Sequence, residues 1–200
     1  MKESTKMVLV LTVIAMLSGA VLSLVYHLTY DRIQNNQARE LYGSIFAVLP
    51  GAVDVKVIEA HGVSNVEDDR STLSNKEDKD KKPLLLYEAL AENGEPVGFA
   101  YVSEGAGFKG LIKVMIGIDH KTEKITGIKI LEHSETPNIG TRVEDESFRN
   151  QFVGKTVSDP IAIGKDIDAV SGATVSSTAV TEAVRKDLAY ALTAYKEARK

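Results

Sequence analysis

The stretch LIKVMIGIDHKTEKITGIKIL, Leu111 to Leu131, decides the fold. Leu111–Asp119 and Lys124–Leu131 are rich in Ile, Val and Met and have strand character. His120-Lys121-Thr122-Glu123 is a polar turn between them, so the two segments pair as an antiparallel hairpin. Upstream, Leu84–Leu90 and Pro96–Ser103 have the same character. Downstream, Glu144–Phe152 suits a short helix. Val170 opens a turn of small residues, and Val175–Lys200 suits a long terminal helix. Within that helix Val180, Val184, Leu188, Ala191, Leu192 and Tyr195 fall close to one face. An antiparallel sheet packed by helices makes an α+β domain.

Further out, apolar residues from His27 to Leu49 recur at helical intervals, and Pro50-Gly51 ends the run. Val53–Val66 has room for a short strand. Glu67–Lys82 is dense in charges of both signs and suits a solvated loop. At the N-terminus, Met7–Tyr26 carries no charge and spans about 30 Å as a helix, the thickness of a hydrocarbon core. Lys2 and Lys6 precede it, which favours a cytoplasmic N-terminus. A cleaved signal peptide ending near Ser18-Gly19-Ala20 is the alternative, but the apolar run continues past that point. Leu17-Ser18-Gly19-Ala20 has no cysteine for lipid attachment. The expected organisation is a cytoplasmic tip and transmembrane anchor over residues 1–30. One extracytoplasmic domain follows over residues 31–200, so the chain is single-pass in the cell inner or plasma membrane, surrounded there by lipid.

Composition narrows the chemistry. The chain has 200 residues, 44% hydrophobic and 26% charged, as a globular domain does. A net charge of -4 leaves no nucleic-acid footprint. With no cysteine, disulfides, thiolate-held iron–sulfur clusters and c-type haem are excluded from this chain. His27, His61, His120 and His133 stand too far apart in sequence for a short-spaced metal site, and none is expected. Gly105-Ala106-Gly107-Phe108-Lys109-Gly110 matches GxGxxG, but a strand follows it rather than the helix that would hold a pyrophosphate. Gly154-Lys155-Thr156 looks like the end of a P-loop, yet Arg149 occupies the place of its first glycine. No residue stands out as a catalytic acid, base or nucleophile.

The informative turn is Asp168-Ala169-Val170-Ser171-Gly172-Ala173-Thr174, leading into the terminal helix. A helix N-terminus offers unpaired N–H groups and partial positive charge, which suit a phosphate. Gly172 and Ala173 leave room for a bulky group, and Thr174 brings a hydroxyl. On these residues alone a simpler account also stands: Ser171 or Thr174 caps the helix, worth about 1 kcal/mol.

The turn resembles the flavinylation motif D-x-x-S/T-G-A-T of the FMN-binding domain family. That family includes the G subunit of the Rnf ion-translocating electron-transport complex and the C subunit of the sodium-translocating NADH:quinone oxidoreductase. The resemblance covers nearly the whole chain, including GAGFKGLIKVMIGID, KITGIKILEH and the loop His133–Gly140. Where relatives usually read Gly-Leu, this loop has Asn138-Ile139, and Asn tolerates the left-handed conformation. At its length the chain is more similar to the Rnf subunit.

The resemblance implies that Thr174 bears covalent FMN through a phosphoester, installed from FAD by a separate flavin transferase. Asp168, Ser171, Gly172 and Ala173 are then the recognition residues. The loops containing Gly107 and Glu135, Thr136 and Pro137 become candidate walls of the isoalloxazine ring, the alternative being plain turns. The implied function is electron transfer in a ferredoxin- and NAD-linked Rnf-like complex, coupled to ion transport. The other membrane subunits are the partners, and this subunit has no complete activity alone. Two alternatives remain open: a quinone-reductase subunit or differently partnered flavoprotein, and a non-redox anchored binding domain.

Overall fold

The computed structural model describes residues 3–60 and 84–199; the charged Glu67–Lys82 stretch lies outside them. Helix α1 runs unbroken from Glu3 to Val48. Its Thr5–Tyr30 segment has a mean hydropathy of 2.6, enough length and apolarity to cross a membrane. The anchor and the helix expected over 27–49 are therefore one element. It stops where Pro50 has no N–H to give and Gly51 turns at φ +93°. The chain divides into two compact units, Met1–Leu41 and Tyr42–Lys200.

The second unit is built on a five-stranded antiparallel meander, in which each strand pairs only with its neighbours in sequence. Its strands are β1 (Asp54–Ala60), β2 (Leu84–Leu90), β3 (Pro96–Ala106), β4 (Leu111–Asp119) and β5 (Ile125–Glu132). The hairpin expected from sequence is β4–β5, with Ile116 opposite Ile128. Asp119 fastens its turn, accepting from the N–H groups of Lys121 and Thr122 and from Thr122 Oγ1. β1 falls within the region that had room for a short strand. β3 runs past Ser103 to Ala106, so the GxGxxG stretch is the end of β3 plus its connection to β4.

Helix α3 (Thr174–Ala198) covers one face of the sheet. All six apolar positions expected on its face are buried. They pack with Phe99, Tyr101, Val114, Ile116 and Ile118 from the central strands. The short segment expected over 144–152 is mixed: a 3-10 turn Gly140–Glu144, one turn of α-helix α2 (Glu146–Arg149), and a 3-10 turn Asn150–Phe152. It drives Phe148 and Phe152 into the same core, edge to face at 5.5 Å. The other face receives the end of α1, where Ile45, Val48 and Leu49 are buried, with Leu49 over Gly98 and Val48 over Gly117. Thr126 Oγ1 donates to the Val48 carbonyl there.

Candidate functional site at the start of α3

The turn before α3 is held from two sides. The side-chain amide of Gln151 pairs with the backbone of Asp168: Oε1 accepts from its N–H at 2.7 Å, and Nε2 donates to its carbonyl at 3.2 Å. The Arg142 guanidinium donates to the Ser171 carbonyl at 3.3 Å. Gly172 takes φ +80°, and a Cβ built on it meets nothing within 4 Å, so the turn is open to solvent. The Ala173 N–H donates to Val170 O at 2.9 Å and closes it.

Thr174 is the first residue of α3, and Ala173 occupies the N-cap with no side-chain hydrogen bond. Neither Ser171 nor Thr174 caps the helix, so the simpler account of this turn gives way. The helical ladder opens with Ser177 N–H donating to Ala173 O at 2.8 Å. The N–H groups of Thr174, Val175 and Ser176 lie ahead of it, and the first turn holds no acidic residue. The partial positive charge of this helix end thus has no counter-charge on its own first turn.

Five hydroxyls crowd the region, and burial sorts them. Ser176 and Ser177 are 2% and 0% exposed. Ser176 Oγ donates to Glu135 Oε2 at 2.7 Å, and Ser177 Oγ accepts from the Val170 N–H at 3.0 Å. Thr178 is half-buried, whereas Ser171 and Thr174 are exposed. Only Thr174 combines exposure with a place at the helix mouth.

Glu135 is itself only 6% exposed. Its Oε1 accepts from the Lys109 N–H at 3.1 Å, and its Oε2 from Ser176. Burial pushes this carboxyl up, but Ser176, the N–H groups of Lys109 and Phe108, and nearby His133 outweigh it and hold the group below its ordinary value. Gly107 and Gly140 press against the two oxygens: a Cβ on Gly107 would stand 2.5 Å from Oε1, and one on Gly140 2.6 Å from Oε2. The residues picked from sequence therefore fall into two groups. Gly107 and Glu135 meet beside the first turn of α3. Thr136 accepts at its carbonyl from Ile139 and Thr141, and Pro137 is exposed. Asp168 is held through its backbone. Asn138 takes φ +60°, the left-handed conformation that its residue type tolerates.

Sequence reasoning passed over Gln151, Arg142 and the roles of Ser176 and Ser177. The serines carried a signal in their position one turn into the helix. Gln151 and Arg142 carried none, because their partners are backbone atoms more than 15 residues away. The assembled site offers the exposed Thr174 hydroxyl at the helix mouth, N–H groups unpaired among the described residues, and open space, a fit to a phosphodiester anion with a bulky substituent.

Comparisons with known proteins place the whole chain. Residues 107–189 match the FMN-binding domain, and residues 1–48 match the RnfG N-terminal region. The G subunit of the ion-translocating oxidoreductase complex of Methanosarcina acetivorans is 31% identical, over 94% of this chain and 95% of its own. The G subunit of the Na(+)-translocating ferredoxin:NAD(+) oxidoreductase complex of Acetobacterium woodii is 28% identical, over 92% and 89%. The crystal structure of NqrC from Shewanella oneidensis superposes with a TM-score of 0.61 at 19% identity, covering 82% of this chain and 99% of that one, a likeness of fold. With this extent of similarity at both ends and through the site, the chain belongs to the family of G subunits of ion-translocating oxidoreductase complexes.

Proposed function

We propose that this chain is the electron-carrying G subunit of a membrane-bound, Rnf-type ion-translocating oxidoreductase complex, with FMN joined to Thr174 Oγ1 by a phosphoester bond. The observation that carries the attachment point is the contrast between exposed Thr174, at an uncapped helix mouth, and the buried, hydrogen-bonded Ser176 and Ser177. When bound, FMN supplies one- and two-electron redox chemistry. The chain's own residues attach and orient it. The free N–H groups of Thr174–Ser176 stabilise the phosphodiester charge. Asp168, Ser171, Gly172 and Ala173 shape the turn that a flavin transferase recognises. Thr174 Oγ1 would be the group that holds the FMN phosphate delivered by that transferase. Gly107, Thr136 and Pro137 lie on the loops that wall the ring, and Glu135 anchors them.

The remaining subunits of the complex are the electron-transfer partners, and lipid surrounds the apolar part of α1. Lys2 and Lys6 ahead of that segment support a domain outside the cytoplasm, over residues 31–200. There a covalent bond prevents loss of the cofactor. The test is co-expression with a flavin transferase, followed by denaturing electrophoresis and mass spectrometry of the peptide Asp168–Arg185. FMN mass on Thr174, absent after Thr174→Ala, is the expected result. FMN on another hydroxyl, or no flavin surviving denaturation, would overturn the assignment.

A further inference from the structure

Glu135 is a buried charged residue facing three separate segments. Through Oε1 it holds the β3–β4 connection, at the Lys109 N–H. Through Oε2 it holds the first turn of α3, at Ser176 Oγ. Its own loop continues to Gly140, whose built Cβ would lie 2.6 Å from Oε2 and 3.1 Å from Ser176 Oγ. A side chain at 107 or 140 would displace the carboxylate, so both glycines serve its close approach. At 6% exposure the carboxylate is screened from solvent by the segments it joins.

We propose that Glu135 is a positioning residue, a clamp that fixes the flavin-bearing end of α3 against the β3–β4 connection and so sets where the tethered ring can lie. This rests on the reading of Thr174 as the flavin carrier. Thr174 stands two residues before Ser176, on the same turn. The clamp therefore places the point of attachment, while Phe108–Lys109 on its other side place the neighbouring wall. A carboxylate accepts up to two hydrogen bonds on each oxygen in a flat fork, which matches donors arriving from opposite sides. Glu135 acts through Ser176 and the backbone of Lys109, and it needs no contact with the flavin.

The test uses the full chain, co-expressed with the transferase, as wild type, Glu135→Ala, Glu135→Gln and Ser176→Ala. Covalent loading is read as flavin fluorescence that survives denaturation. Ring freedom is read in native protein as fluorescence anisotropy and as quenching by iodide. Opening of the connection is read as hydrogen exchange at the Lys109 amide. Glu135→Ala is expected to load flavin, to lose anisotropy, to be quenched nearly as free FMN is, and to exchange the Lys109 amide about tenfold faster, as loss of a charge-assisted hydrogen bond implies. Ser176→Ala removes one arm and gives an intermediate rise in quenching. Glu135→Gln keeps the forked shape and restores much of the wild-type anisotropy. Glu135→Ala protein that carries flavin with wild-type anisotropy and quenching overturns the clamp. If Glu135→Ala yields no folded protein, Ser176→Ala decides, with unchanged quenching as the overturning result. Absence of denaturation-resistant flavin from the wild type would overturn the Thr174 reading instead. In that case an unchanged exchange rate at Lys109 in Glu135→Ala would overturn the clamp separately.

Discussion

Thr174 contributes a hydroxyl and little to stability, because the N-cap belongs to Ala173 and no side-chain bond ties Thr174 to the helix end. Thr174→Ala should therefore shift the stability of the flavin-free protein by no more than about 0.5 kcal/mol, below the cost of losing a cap. Thermal unfolding of apo wild type and variant checks this. Glu135 behaves differently. Its folded carboxyl is held below its ordinary value of 4.5, so the stability it contributes is present above that value and is lost as pH falls below about 4.5. Denaturant titrations at neutral and acid pH should show a smaller acid loss in Glu135→Gln than in wild type. An equal loss in both would assign the acid sensitivity to other carboxylates, such as Asp166 beside Lys155. Tyr101 offers a third test. It is fully buried on β3, and among the described residues its hydroxyl has no hydrogen-bond partner. Tyr101→Phe removes an unmatched polar atom and should raise stability by about 1 kcal/mol. Of these three residues only Thr174 was marked as a chemical group in the sequence, by its motif and its place before a helix. Glu135 was marked only as part of a loop, since nothing local announces that a carboxylate will be buried by donors from two distant segments.

Glycines within the strands set how the end of α1 meets the sheet. Gly117 sits mid-strand in β4, where a Cβ would stand 2.7 Å from the Val48 carbonyl oxygen and 2.8 Å from Thr126 Oγ1. Gly98 in β3 faces Leu49 and the Ile118 carbonyl in the same way. Gly127 in β5 is nearby but looser, with its first contact at 3.6 Å. The sheet thus has a flat place into which the last turn of α1 fits, and side chains there would hold it off. Gly117→Ala should cost about 1–3 kcal/mol, the usual effect of overpacking against backbone, whereas Gly127→Ala should stay within about 0.5 kcal/mol. Equal melting temperatures for the two variants would contradict this account of the seat. Such a seat is hard to read in a sequence, because a glycine inside a strand pattern equally marks a bulge or a weakened strand. The β4–β5 hairpin was legible because apolar runs and a polar turn define it locally. The segment 144–152 was legible as helical but not as a 3-10 and α mixture, since that balance follows from placing Phe148 and Phe152 under the sheet.

At the scale of the whole molecule, one helix belongs to both units, and the division between Leu41 and Tyr42 falls within it. The sequence made the apolar segment and the helical run after it plain, but not where that run docks on the sheet. An alkaline phosphatase fusion after Lys200 should be active and a cytoplasm-restricted reporter inactive, if Lys2 and Lys6 keep the N-terminus inside. The docked turn yields a sharper expectation. Ile45, Val48 and Leu49 are 0%, 2% and 0% exposed, and they belong to the unit that starts at Tyr42. Each buried aliphatic side chain is worth about 1.5–3 kcal/mol, so together they approach the total stability of about 5–15 kcal/mol typical of a domain. A chain beginning at Tyr42 keeps these residues, the acceptor at Val48 for Thr126 Oγ1, and the cover over Gly98 and Gly117. It should fold without detergent and melt cooperatively. A chain beginning at Gly51 loses all of them and leaves apolar sheet surface bare. It should melt far lower or aggregate, although every strand and the Thr174 turn are still present. The two truncations can be compared by circular dichroism and light scattering. Equal melting temperatures would mean that the end of α1 is a passive extension of the anchor, with the sheet stable on α3 alone.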